Sequence, residues 1–332
     1  MKSKLFPLII IFAVLACQIP SLATPTVTPA PSLTATFTET PTQTATPTQT
    51  PTLTPTPPPH AARVLILSID GLRPDAIALA PMPNLLALMQ NSAYTLNAQT
   101  VLPSVTLISH TSMLTGLCPS KHGVDWNDYL PENGFAIGTD LFDIAYANGL
   151  QTVMYVGKYK LRQITEPAST DIFESVDDSD PQVLTAGLLT DFPQDFGVLF
   201  IHFAAPDDVG HEYGWMSPEQ LSVIARADEA LGQILAELDA RSLRDETLLI
   251  VTADHGGHDS SHGTDLPEDM TIPWIVSGPG VQPKLLNTQV HTMDTAATAA
   301  MLLGLPMPLE WDGVPVYEAF GLPIIKQSTA CP

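Results

Sequence analysis

Four separated stretches of the chain carry carboxylates and imidazoles of the kinds that ligate a divalent metal: Asp70, then Asp207 and His211 in PDDVGH, then Asp254 and His255 in ADHGG, then His262 in SHG. Each alone has an ordinary explanation. A strand-end aspartate often caps a helix or anchors a loop, and an isolated histidine is often a hydrogen-bonded structural residue. Together, three Asp and three His at expected strand ends or in glycine-containing loops form two sets of three oxygen and nitrogen ligands, which suits zinc. A further stretch, residues 100–126, offers a nucleophile in Thr106. The apolar run 93–101 and Pro103-Ser104 precede it, and the residues after it can start a helix. Thr106 is thus expected where a strand hands over to a helix N-terminus, a place whose free N–H groups and dipole favour an alkoxide or a phosphate. A threonine hydroxyl titrates far above neutral pH and needs a base or a metal to attack.

The elements that must position these residues are legible as apolar runs. Residues 63–70 form a continuous one, RVLILSID, which reads as a buried parallel strand with Asp70 at its C-terminal end. That edge is where ligands collect in open α/β sheets. Residues 151–156 and 197–203 read as further buried strands, 247–253 as a strand ending at Asp254, and 272–277 as another. Helical spacing appears over 82–92, over 140–148 before Gly149, and over 294–303 before Gly304. Ser217-Pro218-Glu219-Gln220 offers an N-cap, a first-turn proline and a capping-box glutamine. Leu221, Ile224, Leu231, Ile234, Leu235 and Leu238 then form an apolar stripe for packing on a sheet. Strands alternating with helices predict a mostly parallel sheet covered on both faces.

The first sixty residues differ in kind. Lys2 and Lys4 precede an apolar run over 5–16, too short to span a bilayer as a helix, and Ala16-Cys17 follows as a processing site. Residues 1–17 read as a lipoprotein-type signal peptide with Cys17 as the lipidated residue; free secretion after ordinary cleavage is the alternative. Residues 18–60 are dominated by Thr and Pro and contain too little apolar surface to fold. They read as a disordered stalk able to reach on the order of 100 Å in polyproline II. Residues 61–332 suffice for one α/β catalytic domain with a sizeable core.

The chain holds 13 basic and 35 acidic residues, a formal net charge of −22. Such a surface repels nucleic acid, so no nucleic-acid groove is expected, and membrane contact is expected through the lipid anchor alone. Three cysteines make no disulfide framework. With Cys17 lipidated, Cys118 and Cys331 remain, and they can form one bridge in an exported protein.

The motifs SIDGLRPD, PSVTLISHTSMLTGLCPSKHG, DWN, PDDVGH, TADHGGHDSSHG with PEDMTIPWIVSGPG, and DTAATAAMLLGL follow one another between residues 64 and 316. In order and spacing the chain resembles the alkaline phosphatase superfamily, and within it the type I phosphodiesterase and nucleotide pyrophosphatase branch. The resemblance implies a doubly wound α/β/α sandwich with a two-zinc site on the carboxyl edge of its sheet. Asp70, Asp254 and His255 would hold one zinc, which also touches the Thr106 oxygen. Asp207, His211 and His262 would hold the other. Thr106 would attack phosphorus and form a phosphothreonine that water then hydrolyses. Asn127, 21 residues after Thr106, matches an asparagine that donates to a non-bridging phosphate oxygen; by spacing alone it is equally a turn residue.

Lys158 and Lys160 in GKYK follow an expected strand and can touch an anionic substrate, although solvated lysines are the simpler reading. His110 and His122 read as structural, and His258 and His291 as rivals to His262. The aromatic elements that hold a nucleobase in the larger relatives find no match between residues 163 and 196. The expected function is hydrolysis of phosphodiester or pyrophosphate bonds in a small phosphate ester. The alternatives are a phosphomonoesterase, a phosphonate hydrolase or a head-group phosphotransferase using the same site. A non-catalytic binding protein is disfavoured because every residue of the constellation is present. The expected location is extracytoplasmic, lipid-anchored to the cell envelope or secreted.

Overall fold

A computed structural model describes residues 60–176 and 180–332. The expected signal segment 1–17, its Cys17 and the Thr/Pro-rich stretch up to residue 59 lie outside the described residues. Eight strands form one sheet: β1 (Arg63–Ile69), β2 (Ala93–Gln99), β3 (Gln151–Val156), β4 (Ile172–Ser175), β5 (Phe196–Phe203), β6 (Thr247–Thr252), β7 (Thr271–Ser277) and β8 (Lys284–Leu285). Their order is β4-β3-β5-β1-β6-β7-β2-β8. The pairs from β4 through to β6 are parallel, and β7 runs antiparallel to both β6 and β2. The direction of β7 has no counterpart in its sequence, because an apolar run reads the same either way.

Burial explains the order. β5 and β6 are buried throughout, and β1 in all but its first residue, as continuous apolar strands covered on both faces must be. The short strands β4 and β8, which are partly or wholly exposed, take the two edges.

The helices are α1 (Ala76–Leu79), α2 (Pro83–Met89), α3 (Thr106–Thr115), α4 (Pro119–His122), α5 (Leu141–Ala147), α6 (Pro181–Thr190), α7 (Ala205–Tyr213), α8 (Pro218–Ala240), α9 (Pro267–Met270) and α10 (Asp294–Leu302). All but α9 fall into two groups. The long α8 packs with α1, α2, α6 and α7, whereas α3 packs with α4, α5 and α10. The apolar stripe of α8 is buried at Ile224, Leu231, Ile234 and Leu238, each contributing about 1.5–3 kcal/mol by removal from water. Its N-cap forms as expected, with Ser217 Oγ accepting from Gln220 N at 3.2 Å. The expected capping box does not close. Gln220 Oε1 instead accepts from Met216 N at 2.6 Å and its Nε2 donates to Pro206 O at 3.0 Å, so the side chain ties α8 to α7.

The parallel strands bring Asp70 after β1, Lys158 after β3, Asp207 after β5 and Asp254 after β6 to one edge of the sheet. Cys118, the N-cap of α4, is disulfide-bonded to Cys331 across 213 residues. Among the described residues no helix is long and apolar enough to cross a membrane.

Candidate metal and phosphate site

Asp70, Asp254 and His255 meet in a buried cluster. His255 Nε2 is 3.3 Å from Asp70 Oδ1 and 3.2 Å from Asp254 Oδ2. Asp207, His211 and His262 form a second cluster beside it. Here His262 Nε2 lies 3.4 Å from Asp207 Oδ1 and 3.1 Å from His211 Nε2, and His211 Nε2 lies 3.6 Å from Asp207 Oδ1. The rings of His255 and His262 stack at 3.8 Å, joining the two clusters. Ligand atoms lie within 4.8 Å of one another in two groups, Asp207 with His211 and His262 and Asp70 with Asp207 and His255, so Asp207 stands between both sets, and Asp254 meets the second through His255.

The tautomers follow from the second partners. His255 Nδ1 donates to Gly256 O at 2.8 Å, His211 Nδ1 to Ser260 O at 3.0 Å and His262 Nδ1 to Ser104 O at 2.9 Å. A carbonyl can only accept, so each Nδ1 carries the hydrogen and each Nε2 turns a lone pair inward. Two such lone pairs 3.1 Å apart in His211 and His262 call for a cation between them.

The carboxylates make the same demand. Asp70 Oδ1, Asp207 Oδ1, Asp254 Oδ2 and His255 Nε2 are all buried and have no hydrogen-bond partner. Burial, reinforced by the charges of Asp70 and Asp207, holds the Asp254 carboxyl well above the usual range. Burial and the neighbouring His262 hold His255 down to about 4, so its imidazole is neutral at pH 7, as a ligand must be. Edges of a tetrahedron drawn with zinc–ligand lengths of about 2.0–2.1 Å are about 3.4 Å long, close to the spacings found here. The donor set is of the kind that holds divalent metal ions.

Thr106 is the first residue of α3, following the extended Val105, and is buried. Contacts at and next to it tie the start of α3 to β1, to the His262 loop and to Asn127. His110 Nδ1 donates to Thr106 O at 2.7 Å while its Nε2 accepts from Ser68 Oγ at 2.8 Å, tying the helix start to the end of β1. Ser104 Oγ donates to Thr264 O at 2.8 Å, and Ser104 O receives His262, so the His262 loop is clipped to the residues just before Thr106. Asn127 Oδ1 accepts from Leu107 N at 2.9 Å and from Lys160 Nζ at 3.1 Å. The amide nitrogen of Asn127 is thereby the end left to donate to a ligand.

Lys158 is not a solvated lysine. Its Nζ donates to Asp70 Oδ2 at 2.7 Å and to Asp207 Oδ2 at 2.5 Å, bridging one carboxylate from each cluster. Burial pushes the Asp70 carboxyl up, but the charge of Lys158 and the hydrogen bond from His202 outweigh it and hold the group well below the usual range. His122, His258 and His291 are engaged elsewhere. His122 Nε2 meets Ser112 Oγ at 3.0 Å, His258 Nδ1 meets Asp269 Oδ1 at 2.7 Å, and His291 Nδ1 meets Ser328 Oγ at 2.8 Å.

Sequence reasoning missed three features. Trp215 is buried against the metal-side rings, 5.1 Å from His211 and 5.7 Å from His262, and its Nε1 donates to Gly71 O at 3.0 Å. A Cβ at Gly257 would lie 2.1 Å from this indole, which is why the DHGG turn needs its last glycine. His202 is buried with Nε2 3.0 Å from Asp70 Oδ2; a histidine inside the apolar run VLFIHF was the available signal. Tyr129, Tyr159 and Phe173 form an edge-to-face ladder with centroids 4.8 and 5.8 Å apart, next in sequence to Asn127 and the two lysines. Tyr129 and Tyr159 are 42% and 50% exposed. Phe173 lies in the very interval where no aromatic match was found.

The family model for type I phosphodiesterase / nucleotide pyrophosphatase matches residues 64–273. The chain is similar to a venom phosphodiesterase of Crotalus durissus collilineatus, 28% identical over 217 residues that cover 58% of this chain and 26% of that protein. It thus spans about a quarter of the length of this curated relative. Among solved structures it is similar to murine ectonucleotide pyrophosphatase/phosphodiesterase 5, with a TM-score of 0.67 at 17% identity over 78% of this chain and 99% of that one. It is also similar to alkaline phosphatase PafA, with a TM-score of 0.63 at 14% identity over 79% and 99% of the respective chains. These two likenesses show the fold, the alkaline phosphatase-like α/β arrangement that the motifs imply.

Proposed function

The chain belongs to the type I phosphodiesterase / nucleotide pyrophosphatase family, and from that premise we propose that it hydrolyses phosphodiester or pyrophosphate bonds through a phosphothreonine on Thr106 at a two-zinc site. The observation that carries this reading is the convergence of four buried, unpartnered ligand atoms, on Asp70, Asp207, Asp254 and His255, with the inward-facing Nε2 atoms of His211 and His262. Asp70, Asp254 and His255 would hold one ion, and Asp207, His211 and His262 the other. Bound there, two divalent ions supply activation of the hydroxyl and neutralisation of the phosphoryl oxygens.

The protein's own groups do the rest. The Thr106 Oγ attacks phosphorus in line, the ester bond to the leaving group breaks, and water later cleaves the new P–O bond. Asn127 donates its amide hydrogens to a non-bridging oxygen, a contact that gains strength as charge develops there. Lys160 holds the Asn127 carboxamide by its oxygen, and Lys158 neutralises Asp70 and Asp207. The exposed faces of Tyr129 and Tyr159 suit a planar or apolar ester group carried by a small substrate.

A second reading is favoured by one observation. Lys160 Nζ, 3.1 Å from Asn127 Oδ1, adds a positive charge beside the amide proposed to meet the phosphate, and a terminal phosphate of charge −2 gains more from it than a diester of charge −1, so a phosphomonoester is the competing substrate. The Cys118–Cys331 bridge supports an oxidising, extracytoplasmic location, with Cys17 as the proposed lipid anchor.

The test is hydrolysis of an aryl phosphodiester, an aryl phosphomonoester and an aryl phosphonate by purified protein, with and without chelator and with Thr106→Ala. The diester is expected to be the best substrate, with activity lost in Thr106→Ala and under chelation and restored by zinc. Equal rates for wild type and Thr106→Ala sink the nucleophile, and activity that survives lasting metal removal sinks the two-ion site.

A further inference from the structure

His202 takes no part in the scheme above, although it stands among its residues. It is fully buried in β5, paired with Ser68 of β1 and Val156 of β3. Its ring lies edge-on to His110, with centroids 4.9 Å apart. Asp70 Oδ2, 3.0 Å from His202 Nε2, already accepts from Lys158 Nζ, so Nε2 carries the hydrogen and Nδ1 the lone pair. That Nδ1 is buried and has no hydrogen-bond partner.

An imidazole placed this way is a poor packing residue. A buried acceptor without a partner is a net cost to folding, and an aromatic hydrocarbon like the flanking Phe200 and Phe203 fills such a place without it. What the imidazole adds is one aimed N–H. Asp70 Oδ2 receives it together with Lys158 Nζ at 2.7 Å, and Asp70 Oδ1 is left facing His255 Nε2 at 3.3 Å with no hydrogen-bond partner of its own. Lys158 also holds Asp207, and its long side chain does not by itself fix the plane of one carboxylate.

We propose that His202 is a positioning residue for the metal site of Asp70: its Nε2–H holds Oδ2 and thereby presents Oδ1 as the ligand shared with His255 and Asp254. This inference rests on the two-ion reading above. Hydrogen bonds of this kind from outside the ligand set commonly change metal affinity by about 10–100-fold.

The experiment uses the full chain loaded with zinc. Metal content, the rate of zinc loss to a chromophoric chelator, and melting temperature after chelation are compared for wild type, His202→Phe, His202→Leu and His202→Gln. His202→Phe is expected to lose one of two ions about 10–100-fold faster than wild type while melting, after chelation, at or above the wild-type temperature. His202→Gln places an amide N–H near the position of the imidazole Nε2 and is expected to recover most of the retention. His202→Leu answers the same question if the phenylalanine variant does not fold. Zinc held as tightly by the Phe and Leu variants as by wild type overturns the proposal. So does a Gln variant no better than they are, since shape and not the N–H would then be at work. Wild type that binds fewer than two ions overturns the metal reading itself, a result distinct from the other two.

Discussion

Asn127 shows how a single side chain can be committed at one end and free at the other. Its carboxamide oxygen is bound by Leu107 N and Lys160 Nζ, so the amide group cannot flip without losing both bonds. Gln163 holds the loop that carries it, accepting from Leu130 N at 2.7 Å and donating to Leu130 O at 2.7 Å and Gly134 O at 2.6 Å. Asn127→Ala is therefore expected to lower kcat on the best ester by about 10²–10³-fold, the usual loss for one preorganised donor to a developing oxyanion. The KM should change little and the melting temperature should stay within a few degrees. Steady-state kinetics decide it, and an effect confined to KM would show that Asn127 binds the ground state only. Thr106→Ala is expected to cost more, at least about 10³-fold, because the proposed covalent route is removed altogether. At this scale the sequence carried the residues that converge in the two clusters, since Asp and His at strand ends are conspicuous. It did not carry the buried place of Lys158, because no local pattern tells a lysine drawn in by two distant carboxylates from one in solvent.

Elements position these residues through caps and turns whose energetics depend on pH. Asp140 N-caps α5, its Oδ1 accepting from Asp143 N at 2.8 Å while Asp143 Oδ2 accepts from Asp140 N at 3.0 Å. Burial and the adjacent Asp143 push the Asp140 carboxyl up to about 7. An unfolded aspartate releases its proton near 4, so between about pH 4 and 7 the folded state holds more protons than the unfolded one. The contribution to stability is full at the acid end and is lost as pH rises through 7. The shift of about three units corresponds to a loss on the order of 4 kcal/mol. Asparagine keeps the cap without the charge. Asp140→Asn is thus expected to be stabilising relative to wild type at pH 8 and neutral or destabilising at pH 4, as measured by denaturant titration at both values. A difference between the two proteins that does not vary with pH would contradict the assignment.

The turn after β6 gives a steric counterpart. Gly257→Ala puts a methyl group 2.1 Å from the Trp215 indole and is expected to cost about 1–3 kcal/mol while loosening the His211 and His262 side of the site. Denaturant midpoints and zinc retention read the two effects separately, and an unchanged midpoint would show that the indole moves aside freely. The central strands were legible because β1, β5 and β6 are continuous apolar runs, and α8 because Ser217-Pro218 and its stripe agree. The reversed β7, the use of Gln220 as a strut and the ladder of Tyr129, Tyr159 and Phe173 were not. Each depends on partners distant in sequence, about which local periodicity carries no information.

At the scale of the whole molecule, the bridge between Cys118 and Cys331 closes the domain on itself. Its 213-residue separation takes in β3 to β8 and every proposed ligand except Asp70, yet no ligand lies near it in sequence. The tail that bears Cys331 is also held by Ser328 Oγ, which donates to Asp294 Oδ2 at 2.7 Å. Asp294 Oδ1 in turn accepts from Val314 N at 2.8 Å, so the last segment is bound to α10 as well as to the α3–α4 junction. Cross-linking acts mainly on the unfolded chain, where a loop of this length removes entropy worth about 5 kcal/mol at 25 °C. For a domain of this size such a loss lowers the melting temperature on the order of 10 °C. The paired variant Cys118→Ser/Cys331→Ser is expected to melt lower by that amount in calorimetry and to retain wild-type kcat at 25 °C, because the folded site keeps its contacts. Wild type heated with reductant should reproduce the variant, and reductant should leave the variant itself unchanged. A variant that melts within about 2 °C of wild type would mean that the hydrogen bonds of Ser328 and Asp294 already hold the ends together. A fall in kcat at 25 °C would mean that the bridge shapes α3 and the position of Thr106 in the folded state, and not the unfolded chain alone.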